Sequence, residues 1–351
     1  MNSSTTHTPG ELGSTHHLWS VILAGGEGER TRPFIEHWLG RHLPKQYCTF
    51  VGTRSMLEHT WDRAIRLTSP AHMVTVCAQT HQPLVPKELK AYPGTQVLFQ
   101  PENRGTAPGI FLPLTYIRRQ NPHATVVVFP SDHFVFPEDR FIELVRMATL
   151  AADRWKDWIM LLAVPPTSLE LEYGWVKPGP CLGWIHGSEF RSVTAFVEKP
   201  RLEEGLRILG QGGLWNTLVL TARIDTLWNM GWRRFPDLMH RFEWLLEAIG
   251  TPDEGQVLEA IYRDMPRYNF SAAVLQKEIA RIGVMEVQGI LWSDWGRPER
   301  IVETLRSIGG QPRFSPEQVA LLHENFFVGP SSWRPHKKPQ VFTHADSHQI
   351  A

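Results

Sequence analysis

The sequence has little cysteine, no long apolar run and no excess of charge, and each scarcity removes a class of protein. Its three cysteines, Cys48, Cys77 and Cys181, are spread over 351 residues. They form neither a CxxC pair nor a disulfide framework, so a reducing cytoplasm is the expected location. No stretch approaches the ~18 apolar residues of a membrane helix. Residues 1–17, rich in Ser, Thr, His and Gly, lack the basic and apolar regions of a secretion signal. Lys plus Arg and Asp plus Glu both number 36, so no net charge favours a nucleic-acid or membrane partner. Histidines are plentiful, yet neither HExxH nor paired-ligand spacing occurs, and zinc chemistry has no support in the sequence.

What is present reads as a layered α/β chain. Segments 19–24, 73–78, 95–99, 125–130, 158–164 and 192–198 are short apolar, β-branched runs. Their hydrophobicity is continuous rather than alternating, as expected for strands buried on both faces. Helix-like stretches, 55–67, 107–120 and 139–154, lie between them. This alternation predicts a mostly parallel sheet flanked by helices. The Trp- and Leu-rich stretch 224–249 predicts a core-facing helix pair. Ser315-Pro316-Glu317 has the N-cap and first-turn proline of a last short helix. The expected organisation is a disordered tail over 1–17, one domain over 18–310, and a short helix with a disordered tail over 311–351.

The strongest local signal follows the first strand: Leu23-Ala24-Gly25-Gly26-Glu27-Gly28-Glu29-Arg30. Glycines at 25, 26 and 28 leave backbone N–H groups unshielded, so the chain can wrap a phosphate. The Gly-Lys-Ser/Thr ending of a Walker A loop is absent, and Thr31 stands where a dinucleotide fingerprint needs its third glycine. Instead come cations, Arg30, Arg32 and Lys45, of the kind that neutralise a triphosphate and departing pyrophosphate. On residues alone, a turn with solvated charges remains open. Asp132, at the carboxyl end of the run 125–130, sits where open α/β sheets place ligands, although helix caps and turns also use aspartate there.

LAGGEGER followed by Pro44-Lys45-Gln46 resembles the nucleotide-binding signature of the sugar nucleotidyltransferases, and it is most similar to the mannose-1-phosphate guanylyltransferase branch. Further segments occur in that family's order: 101–108 (PENRGTAP), 130–133 (PSDH), Tyr173-Gly174, 196–200 (FVEKP), Trp215-Asn216 and 292–296 (WSDWG). The resemblance spans about residues 18–305. It implies a Rossmann-like mixed sheet of the nucleotide-diphospho-sugar transferase type. It also implies transfer of a nucleotidyl group from an NTP, GTP by this branch, to a sugar 1-phosphate, here mannose 1-phosphate. Arg30 and Lys45 are then catalytic; Leu23, Ala24, Gly25, Gly26, Gly28, Arg30 and Thr106 hold the nucleotide. Gly174, Glu198, Lys199 and Asn216 hold the sugar phosphate, and Asp132 and Asp294 hold Mg2+. A homo-oligomer is compatible with this reading.

One tension arises within it. Glu198 and Lys199 are consecutive strand residues and should point to opposite faces; they serve one site only if the strand end twists, and otherwise form a surface ion pair. The chain also departs from the family. Thr31-Arg32 replaces Leu-Trp, the stretch 33–44 is longer, and Gly105 replaces an asparagine. Leu218 replaces a glycine, and Ser271-Ala272-Ala273-Val274 replaces Asp-Tyr-Ala-Val. These put the base and the hexose in question. They keep open a non-catalytic or regulatory nucleotide-sugar-binding relative and, further off, a different α/β nucleotide binder such as a dinucleotide oxidoreductase.

Overall fold

The first strand, β1 (Leu18–Ala24), shows why these runs are apolar throughout. Trp19 and Val21 enter one hydrophobic cluster while Ile22 and Ala24 enter another. Alternate side chains of a strand point to opposite faces, so both faces of this sheet are covered. The computed structural model describes residues 17–85, 89–315 and 318. The expected N-terminal tail and most of the expected C-terminal helix and tail lie outside them. Ser315 does carry a cap arrangement, its Oγ accepting from the Gln318 N–H at 3.3 Å. Among the described residues no helix is long and apolar enough to cross a membrane.

After β1 come α1 (Arg32–Leu39), α2 (Met56–Ala64), β2 (Met73–Ala78), β3 (Gln96–Gln100), α3 (Thr106–Gln120) and β4 (Thr125–Pro130). The chain continues through β5 (Phe134–Phe136), α4 (Glu138–Arg154), β6 (Ile159–Val164), β7 (Gly174–Ile185), β8 (Ser188–Glu198), α5 (Leu202–Gly210) and β9 (Leu214–Arg223). It closes with α6 (Ile224–Arg234), α7 (Pro236–Ala248), α8 (Glu254–Arg263), β10 (Ile282–Glu286), β11 (Leu291–Ser293) and α9 (Pro298–Ser307). The main sheet runs β3-β2-β1-β4-β9-β6-β10-β8-β7, and β11 pairs with β5 in a small second sheet. Within the main sheet β8 and β9 run against the other strands, which share one direction. The fold is therefore α/β with a mixed, mostly parallel sheet flanked by helices.

One cluster joins the sheet to α3, α6, α7 and α8, and a second joins its other face to α2 and α4. The predicted helix pair over 224–249 is α6 and α7. A third, smaller cluster packs Phe34 and Ile35 of α1 and Phe50 against Trp295 and against Ile301 and Leu305 of α9. It ties the segment after the glycine loop to the segment around Asp294. The longer stretch 33–44 forms most of α1, which Gly40 ends in a left-handed conformation (φ 67°).

Two departures have backbone explanations. Gly105 has φ 94°, and a Cβ there would lie 2.5 Å from the Tyr268 carbonyl oxygen, so asparagine does not fit this loop. Leu218 takes φ 58°, where a glycine is at ease, beside an irregularity in the β6–β9 register. For a β-branched residue such a φ is an outlier, and left-handed backbone costs about 1–2 kcal/mol. Leu218→Val should therefore destabilise by about 1–2 kcal/mol, while Leu218→Gly stays within about 0.5 kcal/mol because relief of φ offsets its lost packing and added chain entropy. Chemical denaturation orders the variants; stability that tracks side-chain hydrophobicity instead would sink the backbone explanation.

Candidate active site

The glycine loop is held by its carbonyls. Gln46, buried, donates through Nε2 to the carbonyls of Ala24 at 2.9 Å and Gly26 at 2.8 Å. Ser131 donates to the Leu23 carbonyl through both its N–H (3.1 Å) and Oγ (2.7 Å), and Asn103 Nδ2 to that of Gly25 at 3.3 Å. With these carbonyls tied inward, the N–H groups of the loop are left to an anion. Gly28 turns the chain at φ 64° directly over Lys45. Thr106 begins α3, and its Oγ1 accepts from the Phe270 N–H at 2.9 Å. Asn103 thus links the 101–108 loop to the glycine loop.

Lys45 and Arg30 take different places. Lys45 is buried under the loop, its Nζ 2.9 Å from Asp132 Oδ2 and donating to the Asp294 carbonyl. Its charge acts on the acidic side of the site. Arg30 is half-exposed and reaches across, Nη1 to Glu172 at 2.7 Å and Nη2 to Asp294 Oδ2 at 3.0 Å. Arg32 does not join the site; it pairs with Glu36 one helical turn away.

Asp294 is the hub. Its Oδ1 accepts from Tyr173 Oη at 2.7 Å, Arg300 Nη1 at 2.8 Å and the Gly296 N–H at 2.9 Å. Burial alone would raise its pKa, but Lys45 and Arg300 outweigh burial and hold it well below the carboxylate range. Asp132 is 39% exposed at the end of β4; burial again opposes its ionisation, and Lys45 holds its pKa low. Its Oδ1 faces His133 Nε2 at 3.7 Å.

Tyr173 carries the site over to its second half. Gly174, which follows it, pairs with Glu198 across β7 and β8. A Cβ on Gly174 would lie 2.9 Å from Glu198 Oε2 and 3.5 Å from Asn216 Cβ, so these three residues share one small space. Burial raises the Glu198 pKa, with Lys199 only partly offsetting it. The strand tension is relieved by the backbone. β8 ends at Glu198, and Lys199 takes a left-handed φ of 49°, with its N–H bound to the Tyr173 carbonyl at 3.2 Å. The strand alternation therefore stops at Glu198.

Sequence reasoning did not single out Glu170, Glu172 and Arg300, and it quoted Gln46 within a motif without giving it a role. Arg300 binds Glu170, lies 3.7 Å from Glu172 and packs its guanidinium 4.7 Å from the centre of the Tyr173 ring. Nothing in the helical pattern of 298–307 distinguishes this arginine from a solvated one.

A family profile described as Nucleotidyl transferase matches residues 19–309. The chain belongs to this family. Within the nucleotidyl transferases it is similar to the mannose-1-phosphate guanylyltransferase of Escherichia coli (strain K12), 28% identical over 289 residues, covering 80% of this chain and 58% of the relative. The xanthan biosynthesis protein XanB of Xanthomonas campestris pv. campestris (strain B100) is 31% identical over 200 residues, 56% of this chain and 40% of that one. The chain thus spans about half the length of the curated relatives it matches. Among solved structures, mannose-1-phosphate geranyltransferase from Thermus thermophilus superposes with a TM-score of 0.68 at 25% identity, covering 82% of this chain and 79% of that one.

Proposed function

We propose that the protein transfers a nucleotidyl group from a nucleoside triphosphate to a sugar 1-phosphate, with GTP and mannose 1-phosphate as the substrate pair. The observation that carries this is the Tyr173–Asp294 hydrogen bond, which joins a cation-rich phosphate side to a hydroxyl-binding side. The pair of substrates rests on the names of the relatives. A phosphate oxygen of the sugar phosphate attacks the α-phosphorus; the new P–O bond forms as the bond to the pyrophosphate oxygen breaks. Two polyanions must be brought together, so the work is positioning and charge neutralisation. In this reading the glycine-loop N–H groups and Arg30 bind the triphosphate. Glu198 and Asn216 accept and donate to sugar hydroxyls, and Lys199 meets the sugar phosphate.

The donor set fits a hard divalent cation such as Mg2+. Among the described residues, Asp132 Oδ1 faces His133 Nε2 at 3.7 Å, and Asp294 Oδ2 accepts from the half-exposed end of Arg30. Each carboxylate thus has an oxygen to offer, and Mg2+ is commonly held by one or two carboxylates with phosphates and waters. When bound, the cation would neutralise phosphate oxygens. Asp132 and Asp294 would hold it, and Lys45 keeps Asp132 ionised for that task.

Incubation with each of four NTPs, Mg2+ and a panel of sugar 1-phosphates, with pyrophosphate measured, tests the reading. Release with GTP and mannose 1-phosphate is expected. Nucleotide binding without release from any pair would instead make the protein a non-catalytic nucleotide-sugar binder. Lys199→Ala should raise the KM for the sugar 1-phosphate about tenfold, the value of one charge-assisted contact, and leave the KM for NTP unchanged. A selective effect on the NTP would refute its placement.

A further inference from the structure

Arg30 belongs to the glycine loop, yet both arms of its guanidinium are held by carboxylates from the far side of the site, Glu172 at 2.7 Å and Asp294 at 3.0 Å. A guanidinium so engaged is not free for a phosphate. The two carboxylates differ in what would remain if Arg30 left. Asp294 would keep Tyr173, Arg300 and the Gly296 N–H. Glu172 would keep Arg297 Nε at 3.2 Å and Arg300 Nη2 at 3.7 Å. Arg297 and Arg300 both come from the segment beside Asp294, so release of Arg30 strands no carboxylate. The Arg30–Glu172 pair is also partly exposed, with Arg30 49% and Glu172 34% accessible, so breaking it costs little, whereas Asp294 is 9% accessible and relies on its other partners.

We propose that Glu172 is a positioning residue: it holds Arg30 across the site, and a triphosphate binds by taking Arg30 from it. This rests on the reading that Arg30 binds the nucleotide. The ion pair thereby ties the glycine loop to the far side of the site through Arg30. A triphosphate competes with Glu172 and with Asp294 Oδ2 for the guanidinium, and Arg297 and Arg300 accommodate Glu172 once it is released. Nucleotide affinity is thus set below what the loop alone would give, by the strength of one ion pair.

The test is a double-mutant cycle on nucleotide binding without sugar phosphate, using calorimetry with Mg-GTP and with ATP, CTP and UTP in parallel. Glu172→Gln should tighten GTP binding about threefold to fivefold, the range of a half-exposed ion pair. In an Arg30→Gln background the same substitution should change nothing. The gap between wild type and Glu172→Gln should also close at high salt. Tightening that persists undiminished without Arg30 would mean that Glu172 merely repels a polyanion, and the proposal would be wrong. Unchanged or weaker binding in Glu172→Gln, and in Glu172→Ala measured beside it, would equally overturn it. Wild-type protein that binds none of the four nucleotides would remove the transfer reading itself, a result distinct from both.

Discussion

Asp132→Asn should lower nucleotidyl transfer about a thousand-fold, several kcal/mol of transition-state charge stabilisation, in a protein that stays folded. Asparagine keeps the size and an acceptor for Lys45 Nζ, now 2.9 Å from Asp132 Oδ2, but removes the charge that a divalent cation needs. Asp132→Ala should lose as much activity and also stability, because Lys45 is 4% exposed and, among the described residues, would keep the Asp294 carbonyl as its one hydrogen-bond partner and the more distant Asp294 carboxylate as its counter-charge. An unpaired buried charge is costly. Pyrophosphate release and thermal unfolding, measured on both variants, separate the two effects. Near-normal turnover by Asp132→Asn would show that the metal is held elsewhere.

Lys45→Met should cost about a hundred-fold in turnover, comparable to removing one preorganised electrostatic contact. The route is indirect. Lys45 lowers the pKa of both Asp132 and Asp294 against the raising effect of burial. A carboxylate with a depressed folded pKa contributes stability above its unfolded value, near 4, and that contribution is lost as pH falls through the folded value. With Met at 45 the folded pKa values move up toward the unfolded ones. The acid limb of the activity profile should then shift to higher pH, and the stability these carboxylates gain between their folded pKa values and about pH 4 should shrink. Lys45→Arg should recover part of the rate if the charge reaches Asp132. An unchanged acid limb in Lys45→Met would show that the lysine does not govern these carboxylates.

The sheet was legible because its strands are buried on both faces. The runs 73–78, 125–130 and 159–164 are buried at every position, so a continuous apolar stretch had no rival reading but a core helix. β7 was less legible for the opposite reason. It carries Lys177, Pro178, Gly179 and Pro180, and its register against β8 slips repeatedly, which erases any period of two. β9, which opens with Leu214-Trp215-Asn216 and is interrupted by left-handed Leu218, was not among the strands expected from the sequence.

The site was half legible. Gly174, Glu198 and Asn216, which the resemblance groups on the sugar side, lie in one space. The pairing of Lys45 with Asp132 and of Arg30 with Glu172 was not readable, since both join residues over 80 positions apart through side chains alone. Sequence identifies the cations after the glycine loop; tertiary packing determines which carboxylate each one meets.

The place of β9 in the sheet has a consequence for how the chain is made. β4 and β6 leave the ribosome long before β9, yet they pair with β9 and not with each other. Until residue 214 has emerged, each presents an open edge with its ladder unmatched, which is a hazard for association between nascent chains. β10 repeats the situation, entering between β6 and the earlier β8. A nascent chain stopped before β9 has Asp132 but neither Asn216 nor Asp294, so both halves of the proposed site close only after residue 294 has been made. Folding dominated by such long-range pairings is slow, and strands made well after their neighbours are the ones that complete the sheet.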